Sequence, residues 1–259
     1  MMSSNDNKQM QGGWRQVTYD LHLHSCLSPC GDMEMTPANI VGMAVVKELD
    51  VIALTDHNTC KNCPAFLKVA EAYGITALPG MELTTTEEVH VVCLFETLED
   101  AMRFDAYVYE HLLDIKNEEA IFGAQVIMNE DDEETGRVEK LLINATDIDF
   151  DEVYALMEEY HGVMIPAHLD KSTTSLLSNL GFIPPDSRFR VAELKSFENL
   201  HRLRAAHPYL NDCMVITDSD AHYLEDIHEP QFTMMVPELT PAGVIAALKT
   251  AYSNNDNER

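Results

Sequence analysis

Apolar runs and amphipathic stretches alternate along the chain, a pattern typical of an α/β protein. Residues 17–23 alternate in polarity and residues 51–54 form a short apolar run, so both are predicted to be strands. Between them, Thr36 supplies an N-cap and Pro37 a first-turn proline, which predict a helix to about residue 49. A helix over 64–73 and strands over 75–78 and 81–85 continue the alternation. The chain is therefore predicted to build successive βα units.

The second half of the chain repeats this alternation after an interruption. Further strands are predicted over 89–95, 162–167, 191–194, 214–217 and 232–236, and helices over 150–161 and 241–252. From residue 98 the pattern instead predicts a long helix to about residue 122, and then two strands, 124–128 and 140–143, around the acidic stretch 129–134. We interpret residues 98–148 as a small acidic insertion of a helix and a hairpin, and the acidic turn as a solvated loop. Residues 1–259 are predicted to form one domain around it.

Metal-seeking side chains stand at the ends of the predicted strands. Alternate side chains of a strand share a face, so His22 and His24 can bind one ion together, and Asp20 could orient one of their imidazoles. Asp220 and His222 repeat this spacing of two after another strand. Taken singly, each histidine could equally be a hydrogen-bonded core residue. Two such pairs far apart in the chain, with further candidates between them, indicate a metal cluster.

The further candidates are single side chains that follow apolar runs. His57 follows residues 51–54, and His168 follows residues 162–167. Glu82 lies in an apolar stretch, where a carboxylate is costly to bury unless it is paired or bound to metal, and it could bridge two ions. No single ion needs this many ligands, and clusters of metal ions catalyse the hydrolysis of phosphate esters.

Four motifs resemble those of the PHP (polymerase and histidinol phosphatase) family of metal-dependent phosphoesterases. They are Asp-Leu-His-x-His-Ser at 20–25, Thr-Asp-His-Asn at 55–58, Pro-Gly-x-Glu at 79–82 and Ser-Asp-x-His at 219–222. The resemblance spans residues 20 to 222 and implies an α/β fold, a distorted (β/α)7 barrel with metal ions at the carboxyl ends of its strands.

The resemblance also implies a ligand set. By position, one ion is held by His22, His24, Glu82 and Asp220, a second by Glu82, His90 and His168, and a third by His57, His222 and Asp32. Glu34 competes with Asp32 for the last position, and His90 could instead face the core. Of the residues in this set, Glu82, His24 and Asp220 are expected to be catalytic. The mixed imidazole and carboxylate donors suit two or three divalent ions per chain, Mn, Fe or Zn.

The expected chemistry is hydrolysis of a phosphate ester by a hydroxide that bridges two ions. The expected substrate is small and phosphorylated: a phosphomonoester, a nucleotide or an oligonucleotide end. Ser25, Asn58 and Lys171 are candidate substrate contacts because they stand beside predicted ligands, although Lys171 could equally be a surface residue. The alternatives are a non-catalytic metal-binding regulatory module of this family and an amidohydrolase-type enzyme. The Asp-x-His pair at 220–222 argues against the latter.

Charge and hydropathy bear on partners and location. The 259 residues carry 17 Lys and Arg against 44 Asp and Glu, a formal charge of −27, which predicts that duplex nucleic acid is not a partner. The N-terminal segment has no apolar core, and no run approaches the roughly 20 apolar residues of a membrane span. We expect a cytoplasmic protein that does not associate with membranes. The sequence does not indicate an oligomeric state.

Six cysteines and several further histidines have no clear role in this constellation. Cys26, Cys30, Cys60 and Cys63 are expected to be reduced thiols near the catalytic face, with a tetrathiolate zinc or iron–sulfur site as the alternative. Cys93 and Cys213 lie in apolar strands and are predicted core residues. The remaining histidines are predicted to be surface residues: His111, His161, His201, His207 and His228.

Overall fold

A computed structural model describes residues 10–11 and 13–250 of the chain. The strands are β1 Met10–Gln11, β2 Trp14–Leu23, β3 Val51–Leu54, β4 Thr76–Thr84, β5 His90–Leu94, β6 Val126–Met128, β7 Glu134–Arg137, β8 Val163–Pro166, β9 Val191–Glu193, β10 Met214–Ile216 and β11 Thr233–Val236. The α-helices are α1 Pro37–Val46, α2 Cys63–Tyr73, α3 Leu98–His111, α4 Glu119–Phe122, α5 Phe150–Glu159, α6 Leu176–Asn179, α7 Leu200–Ala206 and α8 Pro241–Lys249. Short 3₁₀ turns cover Phe197–Asn199, Pro208–Asp212 and Leu224–Asp226.

The main sheet has mixed strand directions. Its order is β1-β2-β3-β4-β5-β8, and β11 pairs with β2 on the other side. Strands β2, β3 and β4 are parallel, whereas β5 is antiparallel to both β4 and β8. Strands β9 and β10 form a separate parallel pair. The α/β class is confirmed, but a regular series of seven parallel βα units is not, because β5 reverses direction.

Backbone hydrogen bonds beyond the strands link the two sheets at one edge. The amide of Leu169, just after β8, donates to the carbonyl of Glu193 on β9 at 2.9 Å. The amide of His24, just after β2, donates to the carbonyl of Ala221 beyond β10 at 3.0 Å. The segments that follow β2, β8, β9 and β10 therefore meet at the same edge.

The sheet is covered by apolar side chains on both faces. In β3, Ile52 and Leu54 pack into the cluster that includes the helix residue Phe66, whereas Val51 and Ala53 pack into a second cluster with residues of the neighbouring strands. A strand buried on both faces must be apolar throughout, which explains the unbroken run over 51–54. Helix α1 begins as predicted, since Thr36 Oγ1 accepts a hydrogen bond from the Asn39 amide at 3.3 Å.

Residues 98–148 differ in detail from the prediction. Helix α3 ends at His111 and not near residue 122, and Leu112 is extended and bridges to Thr146. The hairpin pairs β6 with β7, so its second strand lies at Glu134–Arg137 and not at 140–143. That this region is an insertion stays a prediction.

The acidic turn between β6 and β7 is not simply a solvated loop. Asp132 accepts hydrogen bonds from the Thr36 hydroxyl at 2.7 Å and from the Ala38 amide at 3.2 Å. Its carboxylate therefore lies at the start of α1, where free amides and the helix dipole favour a negative charge.

Among the described residues, we find no helix with the length and apolar character that crossing a membrane requires.

Candidate metal centre

The predicted ligands converge at one edge of the sheet because of how the strands run. His22 lies near the carboxyl end of β2, and Glu82 lies near the carboxyl end of β4. His90 is the first residue of β5, and since β5 is antiparallel to β4, it pairs with Thr84 at the same edge. Strand β8 reverses direction again, so His168, two residues beyond it, returns to this edge.

Glu82 is the centre of the cluster. It is fully buried, and five imidazole nitrogens surround its carboxylate. Nearest to Oε1 are His90 Nδ1 at 2.8 Å, His168 Nε2 at 3.2 Å and His22 Nε2 at 3.3 Å; nearest to Oε2 are His57 Nδ1 at 2.9 Å and His24 Nε2 at 3.3 Å. One carboxylate thus joins ligands from both halves of the chain, as a bridging ligand would.

Asp220 forms a second focus beside Glu82. Its Oδ1 lies 3.4 Å from His24 Nε2, 3.6 Å from His22 Nε2 and 3.8 Å from His222 Nδ1. Its Oδ2 accepts a hydrogen bond from Lys171 Nζ at 3.1 Å. Asp220 therefore connects the buried candidate ligands to the partly exposed ammonium group of Lys171 at the rim.

The donor atoms form three groups that fit metal ions. Within each group, one ligand atom from each residue lies within 4.8 Å of the others: His22, His24, Glu82 and Asp220; His57, Glu82 and His90; and His24, His57 and His222. His57 Nδ1 and Glu82 Oε2 are close but form no aligned hydrogen bond, and both atoms are buried without a partner, as is His168 Nδ1. Buried polar atoms without partners are costly. A cation between them would satisfy the first two.

The charge state of Glu82 suits this role. Burial, the largest influence, disfavours its charged form, but the charges of His90, His22 and His57 hold the pKa of the carboxyl well below its usual range. The carboxylate is therefore ionised. In contrast, burial and the charge of His24 lower the pKa of His222 to about 3, so its imidazole is neutral, the form that binds metal.

Residues behind the ligands hold two of the imidazoles in place. Glu193 Oε2 lies 2.8 Å from His22 Nδ1, and Ser28 Oγ lies 3.0 Å from His24 Nδ1. Ser28 in turn donates to Asp56 Oδ1 at 2.7 Å. With Nδ1 occupied, the Nε2 atom of each ring faces the centre.

The sequence analysis missed Glu193, although it carries the same signal as Glu82, an acidic residue in an apolar strand.

The role of Asp20 in the structure differs from the one suggested by the sequence. Its carboxylate accepts hydrogen bonds from the backbone amides of Ser219 at 3.0 Å and His228 at 3.1 Å. Asp20 thus holds the loop that carries Asp220 and does not orient an imidazole of the centre.

Backbone strain accompanies the ligands. Asn58, His168 and Asp220 have φ values of 51°, 31° and 54°, in the left-handed region that residues with side chains rarely adopt. Such residues cluster at functional sites, where the surrounding structure holds them. Here each lies just beyond the end of a strand that contributes to the centre.

Five predicted residues lie outside the three ligand groups, and of these only His168 contacts the carboxylate of Glu82. Asp32 is half-buried, and its Oδ1 accepts from the Glu34 amide at 2.8 Å. Ser25 is buried, and its hydroxyl donates to Asp56 Oδ2 at 2.6 Å. Asn58 is also buried, and its amide group donates to the carbonyls of residues 142 and 144. Ser25 and Asn58 therefore belong to the scaffold, whereas Lys171, with 32% of its side chain exposed, lies where a substrate could reach it.

The cysteines do not assemble into a tetrathiolate site. Cys26 and Cys63 are buried apart, since Cys26 Sγ contacts the Val126 carbonyl whereas Cys60 and Cys63 both contact the Gly80 carbonyl. Cys30 is exposed, and Cys93 and Cys213 are buried as predicted. Among residues 10–11 and 13–250, no group of three or more metal-binding side chains includes a cysteine.

All five remaining histidines are at least partly exposed: His111, His161, His201, His207 and His228. His228 also makes contacts inside the protein. Its Nδ1 is buried, and its backbone amide binds Asp20. It therefore belongs to the scaffold of the loop that follows Asp220.

Comparison with known sequences identifies a family. Residues 20–175 match the family model described as PHP domain, which covers more than half of the chain. The 5'-3' exoribonuclease Rnm of Salmonella typhimurium is 35% identical over 83 residues, which are 30% of this chain and 27% of that protein. The matched stretch is less than half the length of each curated relative.

Comparison with solved structures shows the same fold. Endonuclease Q from Pyrococcus furiosus, described as lesion-specific, has a TM-score of 0.63 and 19% identity, over 90% of this chain and 56% of that one. A complex of endonuclease Q with a 27-mer duplex substrate, which has an abasic lesion at the active site, gives a TM-score of 0.62 and 18% identity over the same shares. The predicted PHP-type α/β fold is confirmed.

The second of these structures corrects one expectation. The net charge of −27 predicts that duplex nucleic acid is not a partner. The exclusion is wrong, because a protein of this fold holds a duplex at its active site. Net charge describes the whole surface, whereas the field at a site depends on the ions and side chains in it.

Proposed function

Because the chain belongs to the PHP domain family, we propose that it is a metal-dependent phosphoric ester hydrolase whose centre is built around Glu82. The observation that carries the proposal is the convergence of eight side chains, from His22 to His222, at one edge of the sheet. The exoribonuclease Rnm and endonuclease Q, which this chain resembles in part, are named for cleaving nucleic acids. The function of the family and the chemistry of the site therefore agree.

The donor groups support two or three divalent ions. His22, His24, Glu82 and Asp220 would hold one, Glu82 with His90 and His168 a second, and His57 with His222 a third. The donors suit Mn, Fe or Zn. When bound, such ions lower the pKa of coordinated water and neutralise charge on phosphoryl oxygens.

Within the chain itself, Lys171 is placed to contact the substrate. Its ammonium group donates to Asp220 Oδ2, and its side chain is partly exposed. Burial, the largest influence, lowers the pKa of Lys171, but the charge of Asp220 more than offsets it, so the group stays charged. A charged ammonium group at the rim of the centre can bind a phosphate oxygen.

For the substrate, we propose a phosphate ester of a nucleotide or of an oligonucleotide end. The support is the similarity of part of this chain to exoribonucleases. Cleavage within a duplex beside a damaged nucleotide is a second candidate, supported by the fold shared with endonuclease Q.

A substrate panel tests the function. The purified protein is freed of metal, reloaded with Mn²⁺ and assayed on p-nitrophenyl phosphate, bis-p-nitrophenyl phosphate, nucleotides, 5'-phosphorylated oligoribonucleotides and a duplex with an abasic lesion. We expect turnover of oligonucleotide ends, and its loss in both His24→Ala and Asp220→Asn while circular dichroism stays unchanged. His201→Ala, on the exposed side of α7, is the matched control. Full activity in either ligand variant would contradict the proposal.

The same panel tests the non-catalytic alternative. A regulatory module would bind metal, measured by mass spectrometry, but would hydrolyse none of the substrates. Turnover of any substrate on the panel that is lost in His24→Ala would exclude this alternative.

A further inference from the structure

One segment beside the metal centre is basic, although the chain as a whole is strongly acidic. The chain has 17 Lys and Arg against 44 Asp and Glu, whereas residues 195–204 carry three cations against one carboxylate, a formal charge of +2. The cations are Lys195, Arg202 and Arg204, and the carboxylate is Glu198. An acidic chain repels a polyanion over most of its surface, so the field favours this segment for a negatively charged partner.

Asp170 fastens the basic segment to the rim of the centre. Its Oδ1 accepts a hydrogen bond from the Lys195 amide at 2.7 Å, and its Oδ2 accepts one from the Asn199 side chain at 2.8 Å. Asp170 directly precedes Lys171, whose ammonium group donates to Asp220 Oδ2 at 3.1 Å. The segment therefore begins beside the place where we expect a substrate phosphate to bind.

An aromatic ring lies within the same segment. Phe197 is 42% exposed, and the centre of its ring lies 5.9 Å from that of Phe232, which in turn lies 4.9 Å from that of His228. His228 belongs to the loop that follows Asp220. The ring of Phe197 is therefore held next to that loop, while much of it stays exposed to solvent.

Two cations of the segment have no carboxylate partner. Exposed cations elsewhere form ion pairs, as Lys68 does with Glu130. In the described part of the chain, no ion pair involves Lys195 or Arg202. Arg202 donates instead to Asn199 Oδ1 at 3.4 Å, on the side of the segment that Asp170 binds. Both charges therefore remain available to phosphate groups.

We propose that Lys195, Phe197 and Arg202 form a surface that binds a single strand of nucleic acid beyond the phosphate that the centre hydrolyses. An unpaired base would stack on the exposed ring of Phe197, and the two cations would contact neighbouring phosphates. A base inside a duplex is already paired and stacked, so it cannot use the ring in this way. The surface presupposes the proposed function, because it would serve the same centre.

Binding of a labelled strand tests the surface without turnover. Fluorescence anisotropy follows a decaribonucleotide, labelled at its 3' end, during titration with the metal-free, full-length protein. We expect Phe197→Ala to raise Kd about 10-fold. Phe182→Ala, at another exposed phenylalanine, is the matched control and should leave Kd unchanged. Lys195→Ala should reduce the slope of log Kd against log salt concentration by about 0.7, the value for one phosphate contact to a single strand.

Three results would each overturn the proposal. They are equal Kd values for the wild type and Phe197→Ala, a salt slope that Lys195→Ala does not change, and a decaribonucleotide duplex that binds as tightly as the single strand. Failure of the wild type to bind the strand at all would overturn it as well.

Kinetics of the Mn²⁺-loaded protein separates this surface from the proposed function. The ratio of kcat/KM for the decaribonucleotide to that for a dinucleotide should fall in Phe197→Ala and stay at the wild-type value in Phe182→Ala. Turnover with the same ratio in the wild type and Phe197→Ala would refute only the surface. Absence of all turnover, together with binding that depends on Phe197, would refute the proposed function and support the surface.

Discussion

At the scale of single residues, Glu193 orients the candidate ligand His22 and is not itself one of the candidate ligands. Its carboxylate is buried, and Oε2 lies 2.8 Å from Nδ1 of His22. This contact holds the proton on Nδ1 and leaves the lone pair of Nε2 directed at Glu82 and Asp220. The negative charge also makes the imidazole a better donor to a cation.

Glu193→Gln should therefore weaken metal binding without removing a ligand. The amide oxygen can still accept a hydrogen bond from His22, but the charge is lost, and we expect metal affinity to fall by about 10- to 100-fold. Competition with a fluorescent chelator measures it. Glu198→Gln, an exposed glutamate five positions along the chain, is the matched control. If the two variants bound metal with equal affinity, Glu193 would have no role in metal binding.

His57 makes metal binding depend on pH. Burial, the largest influence, lowers its pKa, but the negative charge of Glu82 nearby outweighs burial and raises the pKa to about 9. In the metal-free protein this imidazole therefore stabilises the fold as a cation. That contribution is complete below the unfolded value, near 6.5, and is lost as pH rises through about 9.

An ion binds neutral imidazole, so binding at neutral pH should release a proton from His57. We expect affinity to rise as pH increases towards about 9 and to level off above it. Calorimetry in buffers of different ionisation enthalpy counts the protons released, and His57→Gln should release fewer. A binding enthalpy that is independent of the buffer would contradict this prediction.

At the scale of elements, the sequence predicted correctly those strands and helices whose bounds are set by the local residue pattern. Strands β3, β8 and β9 and helices α1 and α2 lie close to their expected positions, because each combines an apolar run or a helix cap with its boundary residues. The sequence pattern predicted a longer helix α3 than the structure has. Lys140 Nζ donates to the Tyr109 and Leu112 carbonyls at 3.0 and 2.8 Å, so a residue distant in sequence binds the end of this helix. Local periodicity carries no sign of such a contact.

The same distinction applies to the site. Motifs pointed to the candidate ligands that converge, because strand order brings strand ends together. They could not show which side of a loop each neighbouring residue faces. Ser25 and Asn58 adjoin candidate ligands in sequence, yet their polar groups are satisfied by the scaffold. Only the hydrogen bonds of the loop decide these directions.

Asp132 tests whether the acidic turn stabilises α1. Asp132→Ala removes the acceptor for the Thr36 hydroxyl and the Ala38 amide and places alanine at a φ of 58°. We expect the free energy of unfolding to fall by about 1–3 kcal/mol, from the lost helix-start contacts and the strained backbone. Urea denaturation measures it. Asp131→Ala, the exposed neighbouring aspartate, should change stability little. Equal effects would show that the turn does not support the helix.

At the scale of the whole molecule, the centre exists only when the chain is folded. Leu23 bridges to Ala221, and His57 bridges to Glu82, so segments from both ends of the chain meet there. The unfolded chain has no preformed site of this kind. Any ion bound by these residues therefore stabilises the folded state by its binding free energy.

Removal of metal should for this reason lower the melting temperature. At a free ion concentration of about 100 times Kd, each independent site adds about 2.7 kcal/mol, which corresponds to a shift of roughly 5–11 °C for a domain of this size. Differential scanning fluorimetry before and after chelation, and after Mn²⁺ is restored, measures the shift. Glu82→Gln keeps the shape of the side chain but loses its charge, so its melting temperature should respond far less to Mn²⁺. If that variant responded as fully as the wild type, Glu82 would not join the ions, and the centre would have to be built around another residue.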